Sequence, residues 1–167
     1  MTRLRRLAVL AAFAAAAPAA AQDPAATGGF RADPDAPVEV EANELSLDQA
    51  SGLARFSGGV VVTQGELRLT APEILVEYAR TAQGAPGRDV SSITASGGVL
   101  LVTPTEAAEA ETARYSPAEN SIVMTGDVVL TQGANTLTGD RLVVDLATGT
   151  GRVEGRVRTI LQPGTEP

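Results

Sequence analysis

The chain has no histidine, no cysteine and no tryptophan in 167 residues, and because all 13 of its cations are arginine it has no lysine either. Each absence removes a kind of chemistry. Without imidazole or thiolate there is no Ser-His or Cys-His nucleophile and no histidine acid or base, nor any disulfide, zinc ribbon or iron–sulfur cluster. Carboxylates are left as the only catalytic acids and bases. Glycosidases work with two of them, but sugar sites usually offer aromatic faces, and aromatics make up 3% of this chain. Scattered acids such as Glu39, Glu41 and Asp48 read instead as a solvated face. The expectation is a protein that is not an enzyme and that uses neither metal nor cofactor.

What is present begins with a leader. Arg3, Arg5 and Arg6 precede the apolar run Leu7 to Ala17, and Ala19, Ala20 and Ala21 follow it. This order of charge, apolar run and small residues marks residues 1–21 as a cleavable secretory signal peptide. The run is too short and alanine-rich to span a bilayer comfortably. Removing it takes away 3 Arg and no acid, so 10 Arg remain against 20 acids, a net charge of −10. Such a charge excludes nucleic acid as a partner. Residues 22–36, QDPAATGGFRADPDA, lack apolar periodicity and read as a flexible linker, as does the tail 162–167, QPGTEP.

Between these segments the chain repeats itself. Gly58, Gly97, Gly126 and Gly155 stand in FSGGVVV, ASGGVLL, MTGDVVL and VEGRVRT at spacings of 39, 29 and 29. A second marker, Ala42, Ala71, Ala110 or Gly139, precedes each glycine by 16 residues in three units and by 26 in the second. From glycine to the next marker the distance is always 13. The ten extra residues correspond to a surface insertion at 80–89, RTAQGAPGRD. Four copies of one unit of about 29 residues therefore fill a domain at 37–161.

Each copy has the alternation of a strand. Phe56, Ala95, Met124 and Val153 stand two residues before the glycine, Val60, Val99, Val128 and Val157 two after it, and Val62, Leu101, Leu130 and Thr159 four after it. Turn residues recur about every eight to twelve positions, so meandering antiparallel strands in an all-β sandwich, jelly roll or short solenoid are expected. The stretch 105–113, TEAAEAETA, favours a helix locally, but its place in the repeat makes it a strand. The same register aligns Leu67 and Leu69 with Leu137, and Ile74 and Val76 with Leu142 and Val144, with Tyr115 at the matching place in the third unit. These inward residues either pack on one another as a core or border something apolar; half-buried strands give one pattern for both.

The segments PVEVEANELSLDQASGLARFSGGVVVTQGELRLTAPEILVEY (37–78) and RYSPAENSIVMTGDVVLTQGANTLTGDRLVVD (114–145), with the closing VRTILQP (157–163), resemble the OstA-like family of periplasmic lipopolysaccharide-transport proteins, the family of LptA. The resemblance covers nearly all of the repeat region and implies an open, twisted antiparallel β jelly roll that shields lipid A acyl chains between its sheets. It implies a periplasmic location and a bridge to inner- and outer-membrane export components by head-to-tail strand addition, through self-association, a membrane-anchored LptC-like protein and an outer-membrane LptD-like component. Carried onto this sequence, the lipid-binding groove falls on Phe56, Val60, Val62, Leu67, Leu69, Ile74, Val76, Val99, Leu101, Met124, Val128, Leu130, Leu142 and Val144. The joining edges fall on the strands 38–42 and 152–161, at Val38, Val40, Arg156, Val157 and Arg158; the arginines have a second reading as charges that block promiscuous edge pairing. A β-repeat scaffold of the envelope that carries no lipid is the alternative function. A net charge of −10 gives no general attraction for anionic lipid A. Its phosphates either stay in solvent with divalent counterions, meet arginines such as Arg55, Arg114 and Arg141, or are few.

Overall fold

The computed structural model describes residues 29–31, 33 and 35–162, so the leader lies outside the described residues, as does the tail beyond Gln162. Ten strands follow in order: β1 (Val38–Glu41), β2 (Glu44–Asp48), β3 (Leu53–Gln64), β4 (Leu67–Arg80), β5 (Pro86–Val102), β6 (Glu106–Ser116), β7 (Ser121–Gln132), β8 (Asn135–Asp145), β9 (Thr150–Glu154) and β10 (Arg158–Ile160). All pairings are antiparallel. β1 and β2 share the two halves of β3, and β10 and β9 share the two halves of β8. The sheet is therefore a meander of long runs whose first and last members are broken.

The long strands bend at the repeat position, and the β4–β5 ladder has two further register shifts beside Tyr78. Register shifts fall between Ser57 and Val60, Ser96 and Val99, and Thr125 and Val128, beside Gly58, Gly97 and Gly126. The repeat's glycines are the corners, with φ of 84°, 92°, 87° and, at Gly155, 72°. That left-handed region is open to glycine at little cost and strained for other residues. Space is short there as well: a Cβ on Gly97 would stand 3.1 Å from the Pro72 ring, directly after the second marker Ala71. The markers are the opposite side of the same corner, since Val60 pairs Ala71, Val99 pairs Ala110 and Val128 pairs Gly139.

The bends fold one ribbon into two layers. In the first layer an inward row runs Val40, Val62, Leu69, Leu101, Ala108, Leu130, Leu137 and Thr159, each paired with the next across a ladder. In the second it runs Leu45, Phe56, Ile74, Ala95, Ala113, Met124, Leu142 and Val153. Apolar side chains from both rows make the core, and full burial of a Leu or Met is worth about 1.5–3 kcal/mol. The alanine-rich run forms β6 as the repeat demands, with Ala108, Ala110 and Ala113 buried. Asp48 and Asp145 close equivalent hairpins by accepting backbone N–H bonds from Ala50 and Ser51 and from Ala147 and Thr148.

Three local features differ from the sequence reading. The insertion at 80–89 mostly lengthens a hairpin: Arg80 ends β4, residues 86–89 open β5, and the connection proper is 81–85. The strand expected at 152–161 is interrupted at 155–157, where Gly155 and Arg156 both have positive φ. Within the linker at 22–36, Phe30 is fully buried in the hydrophobic core, where the composition showed only small and polar residues around it.

Candidate functional site

The two layers do not close on one another everywhere. A cleft of about 180 Å³ lies between them. Its first-layer wall is Val38, Val40, Val62, Gln64, Leu67, Leu69 and Leu101; its second-layer wall is Ile74, Val76, Ile93, Ala95, Ala113, Tyr115 and Ile122, with Leu146 beyond the end of β8. The walls are apolar because they are successive members of the inward rows. At the N-terminal edge the lining reaches solvent, with Val38 57% and Val40 41% exposed. Leu45 and Leu47, also on the inward side of the edge, are 51% and 63% exposed, since no strand or opposing layer covers them. An exposed apolar face continuous with an interior cleft suits an apolar ligand.

Thirteen of the fourteen groove residues separate into two sets. Val62, Leu67, Leu69, Ile74, Val76 and Leu101 line the cleft. Val60, Val99, Met124, Val128, Leu130, Leu142 and Val144 are at most 2% exposed and pack into the sealed core without lining the cleft. Phe56 is half-buried against that core. Ile93, Ala95, Ala113, Tyr115, Ile122 and Leu146 also line the cleft; three of them continue one ladder row, since Val76 pairs Ile93, Ile93 pairs Tyr115, and Tyr115 pairs Ile122.

The two expected edges are unlike. Val38 and Val40 belong to β1 and face the cleft, while Val157 lies between β9 and β10 at 49% exposure. Its repeat counterparts Val60, Val99 and Val128 are buried because another strand follows them. Arg156 forms an ion pair with Asp140 at 2.9 Å, and this hydrogen bond holds the Asp140 carboxyl below its usual value. Arg158 opens β10 and is exposed. Arg55, Arg114 and Arg141, the candidate phosphate contacts, pair with Glu73, Glu77 and Glu154 on the outer surface.

Known proteins are similar to this chain in sequence and in architecture. The family described as LptA/(LptD N-terminal domain) LPS transport protein matches residues 39–150. An uncharacterized protein of Rhizobium meliloti (strain 1021) is 29% identical over 141 residues, covering 81% of this chain and 76% of that one. The lipopolysaccharide export system protein LptA of Escherichia coli (strain K12) is 29% identical over 112 residues, 66% of this chain and 60% of that protein. LptH of Pseudomonas aeruginosa, also a lipopolysaccharide export system protein, is 25% identical over 149 residues, 78% and 82% of the two chains. The crystal structure of LptH, described as the LptA-homologous periplasmic component of a lipopolysaccharide transport device, superposes with a TM-score of 0.66 at 22% identity, covering 79% of this chain and 99% of that one. With an all-β, open antiparallel sheet and a family match across most of the repeat region, the chain belongs to the LptA/(LptD N-terminal domain) LPS transport protein family.

Proposed function

We propose that this chain is a periplasmic lipopolysaccharide-transport protein that shields lipid A acyl chains between its layers and bridges inner- and outer-membrane export components. The observation that carries the reading is the apolar cleft between the layers, continuous with the exposed inward side chains of β1. An acyl chain gains about 0.8 kcal/mol for each CH₂ taken out of water, so a cleft of this kind captures lipid without help from charge. The acidic surface and the paired arginines leave the phosphates in solvent with divalent counterions.

β1 has one free side, since β3 occupies the other, and its backbone can accept a strand from a neighbouring domain. Joining that edge to the β9–β10 edge of another copy is heterologous and does not close, which extends the cleft from copy to copy. An LptC-like inner-membrane protein and an LptD-like outer-membrane component would occupy the two ends. Depleting the protein in its own cells tests the role. Newly made lipopolysaccharide is expected to accumulate at the inner membrane; normal surface delivery would refute a required bridge and favour a scaffold without lipid.

A further inference from the structure

Residues 29–31 run from the start of β6 to the β8–β9 hairpin. Gly29 lies against the Glu106 side chain at the start of β6, on the first layer's rim. Arg31 reaches the other rim, where its Nε donates to the Thr148 carbonyl at 3.1 Å in the β8–β9 hairpin. Phe30, between these two anchors, is 0% exposed and belongs to the core cluster. Thr148 is two residues from Leu146, which lines the cleft. Phe30 is thus held in the core between Glu106 and the hairpin that follows the cleft-lining Leu146.

Its attachment is slight for so large a buried group. Residues 29–31 join no ladder; among the described residues they are held by the Arg31 contact and by the Gly29 backbone N–H against Glu106, and the chain is held again where Gln64 Nε2 donates to the Asp33 carbonyl at 3.1 Å. Beneath the strap Glu106 is 3% exposed, its Oε1 accepts from Gln132 Nε2 at 2.6 Å, and its Oε2 has no partner of full hydrogen-bond geometry. A buried carboxylate oxygen that is incompletely paired opposes closure and is relieved when the strap lifts and water enters. The apolar row also continues past the strap without interruption, through Ala108, Leu130 and Leu137. The lining needed for a longer lipid site is thus already built.

Building on the lipid-binding reading above, we propose that Phe30 is an internal occupant of an acyl-chain subsite, held by a displaceable strap at residues 29–31, and that an incoming lipid chain expels it. The aromatic ring substitutes for several methylene groups in the empty protein and keeps that part of the interior dry. Its release joins the cleft to the interior beyond Glu106, which lets one lipid pass along the domain instead of stopping at the middle.

The absence of cysteine makes the strap easy to lock. A Cβ on Gly29 would stand 2.9 Å from Glu106 Cγ, which brings the pair Gly29→Cys/Glu106→Cys near the ~3.5–4.5 Å Cβ separation of a disulfide. The full mature chain carrying this pair, oxidised and then reduced, is titrated with cis-parinaric acid and with rough-type lipopolysaccharide, alongside the native chain and Phe30→Ala. The oxidised form is expected to bind both probes at least tenfold more weakly than the same protein after reduction, and Phe30→Ala at least threefold more tightly than the native chain. Equal affinity in the two redox states, with Phe30→Ala no tighter than native, overturns the strap while leaving lipid binding intact. No binding by the native chain, the reduced form or Phe30→Ala overturns both the strap and the lipid-binding function.

Discussion

At the N-terminal edge the inward Val38, Val40, Leu45 and Leu47 are 57%, 41%, 51% and 63% exposed, whereas toward the other end the inward Leu130, Leu137, Leu142 and Val144 are 0–5% exposed. Both groups occupy the same rows of the same repeat, so hydrophobic pattern alone does not separate them. What differs is the cover. Leu130 and Leu142 have strands on both sides and an opposing layer, while β1 and β2 are edge strands with β3 on one side only. The open end has the chemistry of a binding face and the sealed end that of a core.

That contrast predicts unequal responses to cavity-forming substitutions. Leu142→Ala should cost about 2–5 kcal/mol by urea unfolding, as expected for a fully buried leucine, and Val40→Ala under about 1 kcal/mol, because its side chain is already 41% exposed. Comparable losses would erase the distinction. Next in size is the corner shared by both regions. Gly97→Ala meets φ of 92° and the Pro72 ring together, so a loss of about 1–3 kcal/mol is expected in the same assay. A loss within about 0.5 kcal/mol would mean that the corner is not sterically fixed.

The edges can be separated by proline. Val40→Pro, inside β1, should weaken association at least tenfold in sedimentation while the domain stays folded, because it disturbs the ladder of an edge strand. Val157→Pro, outside any strand, should change it much less. Equal effects would make the two edges alike after all. The smallest effect concerns Glu106, whose carboxyl burial raises above its ordinary value while the Gly29 backbone N–H opposes the shift. A raised carboxyl binds its proton more tightly in the folded state, so its contribution to stability falls as pH rises from the unfolded value through the raised one. Glu106→Gln should remove that slope in weakly acidic buffer, moving the unfolding midpoint by about 2 °C or less; an unchanged slope would place the titration elsewhere.

Much of the architecture was legible because the corners require particular residues. The glycines and the small residues across from them recur in register, and although the sequence marked them only as repeat positions, three of them fall at strand bends and the fourth at the break between β9 and β10. The alanine-rich β6 was legible for the same reason, since its position in the repeat outweighed local helix preference. The site was less legible. Val62 lines the cleft and Val128 the sealed core, yet they follow the same motif two residues apart in register; only the neighbouring strands and the opposing layer decide which is which. Ala95 and Ala113 line the cleft with side chains too small to mark a binding wall. Phe30 was hidden in a stretch of Gly, Pro and Asp because its burial depends on rims contributed by β6 and the β8–β9 hairpin, more than seventy residues away in the chain.

The central claim is that the space between the layers, open at β1, holds the acyl chains. A photo-crosslinking residue placed singly at Val62 and at Arg68, an adjacent-strand position whose side chain is exposed on the outer surface, measures it directly in cells making labelled lipopolysaccharide. The cleft position should capture lipopolysaccharide and the outer one should not; equal labelling at both would contradict lipid shielding between the layers.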